Sequence, residues 1–407
     1  MTAAHALSTR GPGGAGTWDA VVVGARVAGS STALLLARAG LRVLVVDRAR
    51  RGSDTVSTHA LMRGGVLQLD RWGLLDRMTA TGVPPVRRVT FHYGAERLAV
   101  SLKPYAGVDA LYAPRRNVLD ALLVDAAEEA GARFAFGAAA IDLVRDDAGR
   151  VGGVVLRNRA GTTWTECAPL VVGADGRVSL VADRVNAPIT SRGNSCAAFA
   201  YGYWPAGELD GYHWHYGRTG AVGLSAGVIP TNDGLACVFV AGPPAAVVAA
   251  TRRRGLAGGI HELLGLLDGD LRDLVAAAPV GSVRLFRGMP AQLRQAHGPG
   301  WALVGDAGWW KDPLSTYGIT DALRDAELLA GAVVAGAGSP RSTEAALADY
   351  QAQRDRCALS MHPIDDRIAS HHWDLAEVRR LLRALSSVMS EQIEAVYAKD
   401  AAVTRIA

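Results

Sequence analysis

Residues 18–48, WDAVVVGARVAGSSTALLLARAGLRVLVVDR, constrain the fold of this chain more than any other segment. Residues 20–23 are a continuous apolar run, as expected for a parallel strand that is covered on both faces. Residues 30–39 have helical character, and residues 41–46 form a second apolar run that ends at Asp47. Strand, glycine turn, helix, strand and acid follow one another in the order of a βαβ dinucleotide-binding unit. The sequence therefore predicts an α/β fold with a Rossmann-like domain.

The turn of this unit carries a modified glycine fingerprint. Gly24 and Gly29 occupy the outer positions of G-x-G-x-x-G, but Arg26 stands at the middle position. We expect turn amides and the helix N-terminus to face a pyrophosphate, and Asp47 to accept hydrogen bonds from an adenosine ribose. Arg26 either contacts the phosphates or the flavin, or points outward. The cofactor-binding residues predicted here are Gly24, Arg26, Val27, Ala28, Gly29, Asp47 and Arg48.

Two later strands end in similar acidic turns. LVVGADGRVSLVADRVNA, residues 170–187, contains Asp175-Gly176, and WALVGDAGWWKDPLSTYGITDA, residues 301–322, contains Gly305-Asp306. The βαβ unit, the DG motif and the GD motif, in this order, resemble the signatures of the FAD-dependent aromatic-hydroxylase (group A flavoprotein monooxygenase) superfamily. The resemblance spans the first 340 residues. It implies a glutathione-reductase-type FAD-binding domain with an inserted antiparallel β-sheet substrate domain and a C-terminal helical segment.

The expected domain organisation has four parts. Residues 18–187 and 291–340 form a discontinuous FAD-binding domain, with a small β contribution to the substrate domain near 86–104. Residues 188–290, where the βαβ rhythm stops, form the substrate domain. We expect residues 1–17 to be a flexible tail and residues 341–407 to be helical.

The resemblance also implies further cofactor contacts. Asp306 would accept a hydrogen bond from a ribityl hydroxyl, and the helix that begins near Gly318 would stabilise the negative charge of reduced flavin. Arg116 matches the family's Arg-x-x-Leu position, and Arg63 would lie near the pyrophosphate. The residues implied in this way are Arg63, Arg116, Ile141, Asp175, Asp306, Pro313, Gly318 and Ile319.

Two positions depart from the family pattern. Trp309 replaces the histidine usual after the GD motif, and Ala182 replaces the arginine usual at the end of the DG motif, with Arg184 nearby. The resemblance implies FAD as the cofactor and NADH or NADPH as the reductant, the latter less directly because the DG motif is altered.

Aromatic residues alternate along two segments of the substrate region. They predict an antiparallel hairpin with three aromatic side chains on one face of each strand, which suits either a flat apolar substrate or ordinary packing. The predicted substrate-binding residues are Tyr201, Tyr203, Tyr212, Trp214 and Tyr216. His213 and His215 share the opposite face, but no third ligand is evident, so no metal site is predicted.

His59, Trp309 and Trp310 are the best candidates for lining the reaction site. His59 fits a core histidine equally well, and the two tryptophans fit a simple shield over the flavin. No residue of the sequence is required to act as a proton donor.

The resemblance implies a monooxygenase of an apolar, aromatic or polycyclic small molecule in secondary metabolism. FAD would be reduced by NAD(P)H and would react with oxygen to a C4a-hydroperoxide that oxygenates the substrate. A geranylgeranyl-reductase-like enzyme shares the fold, whereas a flavin halogenase would carry a Trp-x-Trp-x-Ile-Pro element that is absent. A flavin-binding carrier is the remaining alternative.

Composition argues against several other classes. The formal charge is +4, and Lys103, Lys311 and Lys399 are the only lysines among 43 basic residues, so a nucleic-acid surface is not indicated. The four cysteines form no CxxC pair, and no apolar run reaches the ~20 residues of a membrane span. We expect a cytoplasmic monomer or homodimer that binds no membrane.

Overall fold

The computed structural model describes residues 18–55, 57–207, 209–337 and 340–403. The predicted flexible tail, residues 1–17, lies outside the described residues. The strands are β1 (Ala20–Val23), β2 (Val43–Asp47), β3 (Arg88–Tyr93), β4 (Glu96–Ser101), β5 (Arg133–Phe136), β6 (Ala138–Arg145), β7 (Val151–Asn158), β8 (Thr163–Cys167), β9 (Val171–Gly173), β10 (Ile189–Arg192), β11 (Ala198–Pro205), β12 (Tyr212–Thr219), β13 (Val222–Pro230), β14 (Leu235–Gly242), β15 (Arg284–Phe286), β16 (Gln292–Arg294), β17 (His297–Gly298), β18 (Trp301–Leu303) and β19 (Trp309–Trp310). The α-helices are α1 (Val27–Arg38), α2 (Arg63–Arg71), α3 (Leu75–Thr79), α4 (Arg116–Glu129), α5 (Leu180–Arg184), α6 (Pro244–Leu267), α7 (Gly269–Leu274), α8 (Gly318–Ala335), α9 (Pro340–Ala369) and α10 (Leu375–Val403).

The first sheet of the described chain has the order β17-β18-β9-β1-β2-β5, and its strands are parallel except for the β17–β18 pair. All four residues of β1 are buried, because α1, α4 and α8 cover one face of the sheet while the β6-β7-β8 sheet covers the other. Burial on both faces explains why these strands are continuously apolar. The predicted Rossmann-like α/β fold is confirmed.

The larger sheet has the order β15-β11-β14-β13-β12-β3-β4. β12 pairs with β3 in parallel, so two strands from residues 88–101 extend a sheet that is otherwise built from the later segment. The predicted hairpin between β11 and β12 is wrong, because β13 and β14 lie between them. Period-two alternation fixes which face a side chain occupies but not which strand is its neighbour. The six aromatic side chains do share one buried face.

The C-terminal helices close the aromatic face of this sheet. Met361 of α9, Val378 of α10 and Trp373 between the two helices are buried in the same core as the strand aromatics. Two further short strands, β10 and β19, flank β16 in a small sheet beside the GD turn. Within the described chain, no helix has both the length and the apolar character needed to cross a lipid bilayer.

Candidate flavin and substrate site

The three sequence motifs meet at one edge of the parallel sheet. β18, β9 and β1 are neighbours and run in the same direction, so the turns that follow them lie side by side. A β-carbon added at Gly24 would lie 2.4 Å from the carbonyl oxygen of Ala174, and one added at Gly305 would lie 2.9 Å from Cβ of Ala28. The carboxyl ends of adjacent parallel strands are where α/β sheets bind their ligands.

Gly29 fixes the approach of α1 to β1. A β-carbon at Gly29 would lie only 1.8 Å from the carbonyl oxygen of Gly24, a distance that no side chain tolerates. Gly24 itself has a φ of +107°, which favours glycine. The two retained glycines of the fingerprint therefore serve a tight turn and close helix–strand packing, which aims the N-terminus of α1 at the ligand edge.

Asp47 ends β2 beside an open surface cleft. One carboxylate oxygen accepts a hydrogen bond from the Ala25 amide and the other from the Ala49 amide, both at 2.7 Å. Each carboxylate oxygen has a second acceptor site, so Asp47 can still receive ribose hydroxyls. The cleft is also lined by Arg26, residues 49–53, Asp120, Ala121, Val124 and Phe136. Arg48 lies next to it on the exposed side of the strand end.

Arg26 lines this cleft, so its side chain does not simply point outward. Its guanidinium donates to Asp120 at 2.8 Å and to the hydroxyl and carbonyl oxygens of Ser53. Arg116, at the start of α4, donates to the other oxygen of Asp120 at 3.1 Å. Two guanidinium groups thus share one carboxylate, so this group of three side chains carries one net positive charge near the N-terminus of α1. A pyrophosphate is the ligand that such an arrangement favours.

Asp306 presents a free acceptor at the junction of the three motifs. Within the described residues its carboxylate has no hydrogen-bond partner, although its turn contacts α1 and α8. Burial raises the pKa of Asp306, and the positive charges of Lys311, Arg116 and Arg177 oppose that rise. An unpaired, partly buried carboxyl suits the predicted hydrogen bond from a ribityl hydroxyl.

We predict that Asp306→Ala weakens FAD binding by about 1–3 kcal/mol, or roughly 5- to 150-fold, because a buried cofactor hydroxyl loses its acceptor. Fluorescence titration of the apoprotein with FAD measures the dissociation constant. Asp306→Asn, which keeps one acceptor oxygen, is the matched control and should lose less. Unchanged affinity in the alanine variant would remove Asp306 from the cofactor site.

The other acid of the motifs, Asp175, has a different role in this structure. Its carboxylate accepts hydrogen bonds from the Ser179 hydroxyl at 2.5 Å and the Leu180 amide at 2.6 Å, and so caps the N-terminal end of α5. The side chain thus shapes the DG turn. A direct contact between Asp175 and the cofactor stays a prediction.

Two residues implied by the resemblance also stay predictions. Arg63 begins α2, and its guanidinium donates to the carbonyl oxygen of Lys103 at 2.8 Å. Ile141 lies at an irregularity in the pairing of β6 with β7 and is half-buried. No described contact joins either side chain to Arg26 or Asp306.

The segment after the GD turn builds the start of α8. Pro313 opens a 3-10 turn, Thr316 has a φ of +53°, and α8 begins at Gly318 with Ile319 buried behind it. Gly305 of the GD turn packs near Ala322, so α8 begins beside this turn, and a contact of its first amides with the flavin stays a prediction.

The two tryptophans are adjacent on β19, so they point to opposite sides. Trp309 is 1% exposed and has the Lys311 ammonium 3.8 Å from its ring centroid, deep against α8. Trp310 donates from Nε1 to the Met289 carbonyl at 3.0 Å, with Arg177 5.5 Å from its ring centroid. Lys311 beside Trp309 and Arg177 beside Trp310 both act on Asp306, so both rings lie near the GD turn, and which of them faces the flavin stays a prediction.

His59 joins the predicted flavin edge to the aromatic sheet. Its Nε2 is hydrogen-bonded to the Tyr203 hydroxyl, whereas its Nδ1 is buried without a described partner. Burial, together with the charges of Arg116 and Arg115, lowers the pKa of His59 to about 3. The backbone of His59 has a φ of +67°, an uncommon conformation that often marks functional sites. The imidazole is therefore neutral at physiological pH and paired with a substrate-sheet tyrosine.

The predicted substrate-binding aromatics divide into two groups. Tyr201 and Tyr203 meet the loop before α2, since the Ser57 amide donates to the Tyr201 hydroxyl at 3.0 Å. The other three are held by internal packing. Tyr212 donates to the Tyr112 carbonyl at 2.6 Å, Trp214 packs 5.9 Å from Phe239, and Tyr216 packs 6.1 Å from Trp373. The first group lies beside the candidate site.

Sequence reasoning missed three residues around this site and one elsewhere. Arg115 lies 4.7 Å from the Tyr203 ring centroid, and Arg177 and Asp120 set the charge near Asp306 and Arg26. The tandem Arg115-Arg116 was the available signal for Arg115. The expectation that His213 and His215 have no third histidine is also wrong, because His92 lies beside them.

Comparison with known proteins agrees with this geometry. Residues 17–216 match the FAD binding domain family. A menaquinone reductase of Mycolicibacterium smegmatis is 28% identical over 343 residues, 78% of this chain and 76% of that protein. The probable electron transfer flavoprotein-quinone oxidoreductase YdiS of Escherichia coli is 37% identical over 172 residues, and the match spans 38% of its length.

Solved structures share the fold. PqsL, a probable FAD-dependent monooxygenase from Pseudomonas aeruginosa, is 22% identical, with a TM-score of 0.72 over 92% of this chain and 100% of that one. The flavin-dependent brominase Bmp2 is 18% identical, with a TM-score of 0.75 over 94% of this chain and 100% of that one. At these identities the likeness establishes the fold alone. With the FAD binding domain match and the three convergent motifs, it follows that the chain is an FAD-dependent oxidoreductase, and its fold is similar to that of flavin-dependent monooxygenases and halogenases.

Proposed function

We propose that this protein is a monooxygenase of an apolar, aromatic or polycyclic small molecule, with NADH or NADPH as the reductant. In the overall reaction, substrate, O₂, NAD(P)H and a proton give hydroxylated substrate, water and NAD(P)⁺. The observation that supports the proposal is a group of buried aromatic side chains near the predicted FAD site. It comprises Tyr201 and Tyr203 with the neutral His59 on one side, and Trp310 with Phe286 by the GD turn.

The cofactor would be held by groups already in place. Asp47 would accept hydrogen bonds from the adenosine ribose. The N-terminus of α1, with Arg26 and Arg116, would bind the pyrophosphate. Asp306 would accept a hydrogen bond from the ribityl chain. When bound, FAD would accept a hydride and activate oxygen. The N-terminus of α8 would favour the negative charge of the reduced cofactor.

The protein would surround the reacting substrate with a neutral polar pair of side chains and with aromatic rings that exclude water. His59 and the Tyr203 hydroxyl form one neutral hydrogen-bonded pair, in which either the phenol donates to Nε2 or the protonated Nε2 donates to the phenol oxygen, and this pair could orient a substrate hydroxyl. Burial raises the pKa of Tyr203 well above its usual range, so the phenol stays protonated. Trp310 and Phe286, with ring centroids 5.6 Å apart, would exclude water.

We expect a screen of aromatic and polycyclic compounds to find ligands that stimulate NAD(P)H oxidation by the FAD-loaded protein. With such a ligand, consumption of NAD(P)H, oxygen and substrate should be equimolar. Removing oxygen should stop product formation. Product formation that continues at an undiminished rate without oxygen would contradict a monooxygenase.

A second candidate is a reductase of a quinone or an isoprenoid chain. It is favoured by the menaquinone reductase match, which covers about three quarters of both proteins. A reductase would turn over without oxygen and would transfer hydride equivalents to its substrate. The same anaerobic experiment, with a soluble quinone added, therefore separates the two candidates.

A further inference from the structure

Three histidines lie together on the face of the large sheet that is opposite to its aromatic core. β3 runs parallel to β12, and their register places His92 beside His215, with His213 two residues before it on the same face. One nitrogen of each ring lies within 4.8 Å of one nitrogen of each of the others. His92 is 121 residues from His213 in the sequence, so only the strand pairing brings the three together.

Two of the rings are already spaced as metal ligands. Nε2 of His92 is 3.2 Å from Nδ1 of His213. Two nitrogens bound tetrahedrally to zinc at ~2.0–2.1 Å stand about 3.3–3.4 Å apart. A cation between these rings would replace the proton that they now share and would need little change in their separation.

Carboxylates orient the rings from outside. Asp210 accepts a hydrogen bond from Nε2 of His213 at 2.8 Å, which leaves the lone pair on Nδ1, the nitrogen that faces His92. Asp268, at the junction of α6 and α7, lies 3.8 Å from Nδ1 of His215. A carboxylate behind a ligating histidine is the usual outer support of a metal site, and two of them offset the charge of the cation. Arg88 shares Asp210 through its other oxygen, at 3.2 Å.

The histidine cluster lies on paired strands and is open to solvent on the side of its carboxylates. The His213 and His215 side chains are 15% and 8% exposed, whereas Asp210 and Asp268 are 44% and 36% exposed. The rings of His92 and His215 are stacked, with centroids 3.9 Å apart, so one of them must turn to bring its lone pair to the common point. Side-chain rotation suffices for this, because β3 and β12 already hold the backbone in register.

We propose that His92, His213 and His215 form a binding site for a divalent transition-metal ion such as Zn²⁺, with water in the fourth position. A metal held there would tie β3, which comes from the FAD-binding part of the chain, to β12 of the substrate sheet. The site lies on the other face of the sheet from His59 and Tyr203. It is therefore independent of the proposed reaction.

The test is a Zn²⁺ titration of the FAD-loaded protein without a polyhistidine tag, after treatment with a chelator and dialysis at pH 7.5. Calorimetry or competition with a chromophoric chelator should give one ion per chain with micromolar or tighter affinity. His92→Gln and His213→Gln should each weaken binding about 100-fold, and Asp210→Asn about 10-fold. His261→Gln, an exposed histidine on α6, is the matched control and should change nothing.

Thermal unfolding supplies an independent readout. Saturating Zn²⁺ should raise the melting temperature of the parent and of His261→Gln by a few degrees, because a ligand that binds only the folded state stabilises it. It should leave His92→Gln unchanged. Affinity weaker than about 100 μM at the parent site, or equal losses in His92→Gln and His261→Gln, would overturn the proposal. The FAD content, measured in every sample, separates this outcome from a failure of the flavin site.

Discussion

Gly29→Ala is expected to abolish FAD binding and to destabilise the fold by about 3 kcal/mol or more, because its β-carbon would lie 1.8 Å from the Gly24 carbonyl oxygen. The turn and α1 must separate, which moves the helix N-terminus away from the pyrophosphate. FAD content after purification and the midpoint of denaturant unfolding measure the two effects. We expect protein without flavin and a lower midpoint.

Gly331→Ala is the matched control for this change. Gly331 lies on the exposed side of α8, and an added β-carbon would meet no atom within 4 Å. Alanine there should stabilise the helix by roughly 0.5–1 kcal/mol and leave FAD binding intact. If Gly29→Ala binds FAD as tightly as Gly331→Ala does, then close packing of α1 on the β1 turn is not what forms the cofactor site.

Trp310→Ala is expected to uncouple reduction from oxygenation. Removing the indole opens the wall beside Phe286 and Arg177 and admits water to the reacting centre. FAD binding should persist, because Trp310 does not line the dinucleotide cleft. The ratio of hydrogen peroxide to product should rise about tenfold, which corresponds to a shift of ~1.4 kcal/mol between the two outcomes.

Trp309 supplies the comparison within the same strand. It is buried against Lys311 on the opposite side, so Trp309→Ala should lower stability by about 3–5 kcal/mol without changing that ratio. Trp309→Phe, which keeps a ring beneath the ammonium group, serves if the alanine variant does not fold. Equal coupling in the parent, Trp310→Ala and Trp309→Phe would mean that both tryptophans are structural.

The parts of the site that could be predicted are those encoded locally. Gly24, Gly29 and Asp47 belong to one strand–turn–helix–strand unit, whose spacing determines its geometry. Asp306 follows a buried strand, and adjacency of parallel strands then brings it to the same edge. These positions need only short-range patterns and the right order of motifs along the chain.

The parts that could not be predicted depend on which strands become neighbours. β13 and β14 separate the two aromatic strands, and β3 pairs with β12 from far away in sequence, which brings His92 to His215. Side-chain periodicity carries no information on such pairings. The role of Asp175 was also hidden, because a capping carboxylate and a ligand-binding one look alike in a strand–turn–helix sequence.

Arg26 shows how a departure from a motif can be absorbed. The arginine that replaces the glycine extends its side chain across the cleft. There Asp120 on α4 and Ser53 accept hydrogen bonds from its guanidinium group. The arginine thus adds charge where a standard fingerprint has none, a feature that the local sequence indicated only as one of two alternatives.

The most direct test of the account is the origin of the oxygen in the product. A turnover with NAD(P)H under ¹⁸O₂, using a substrate that stimulates NAD(P)H oxidation, should give product that has gained one ¹⁸O atom, as measured by mass spectrometry. A parallel reaction in H₂¹⁸O under ordinary oxygen should give unlabelled product. A product that lacks ¹⁸O under ¹⁸O₂ and has gained two hydrogens would contradict the monooxygenase account and assign the chain to the reductases.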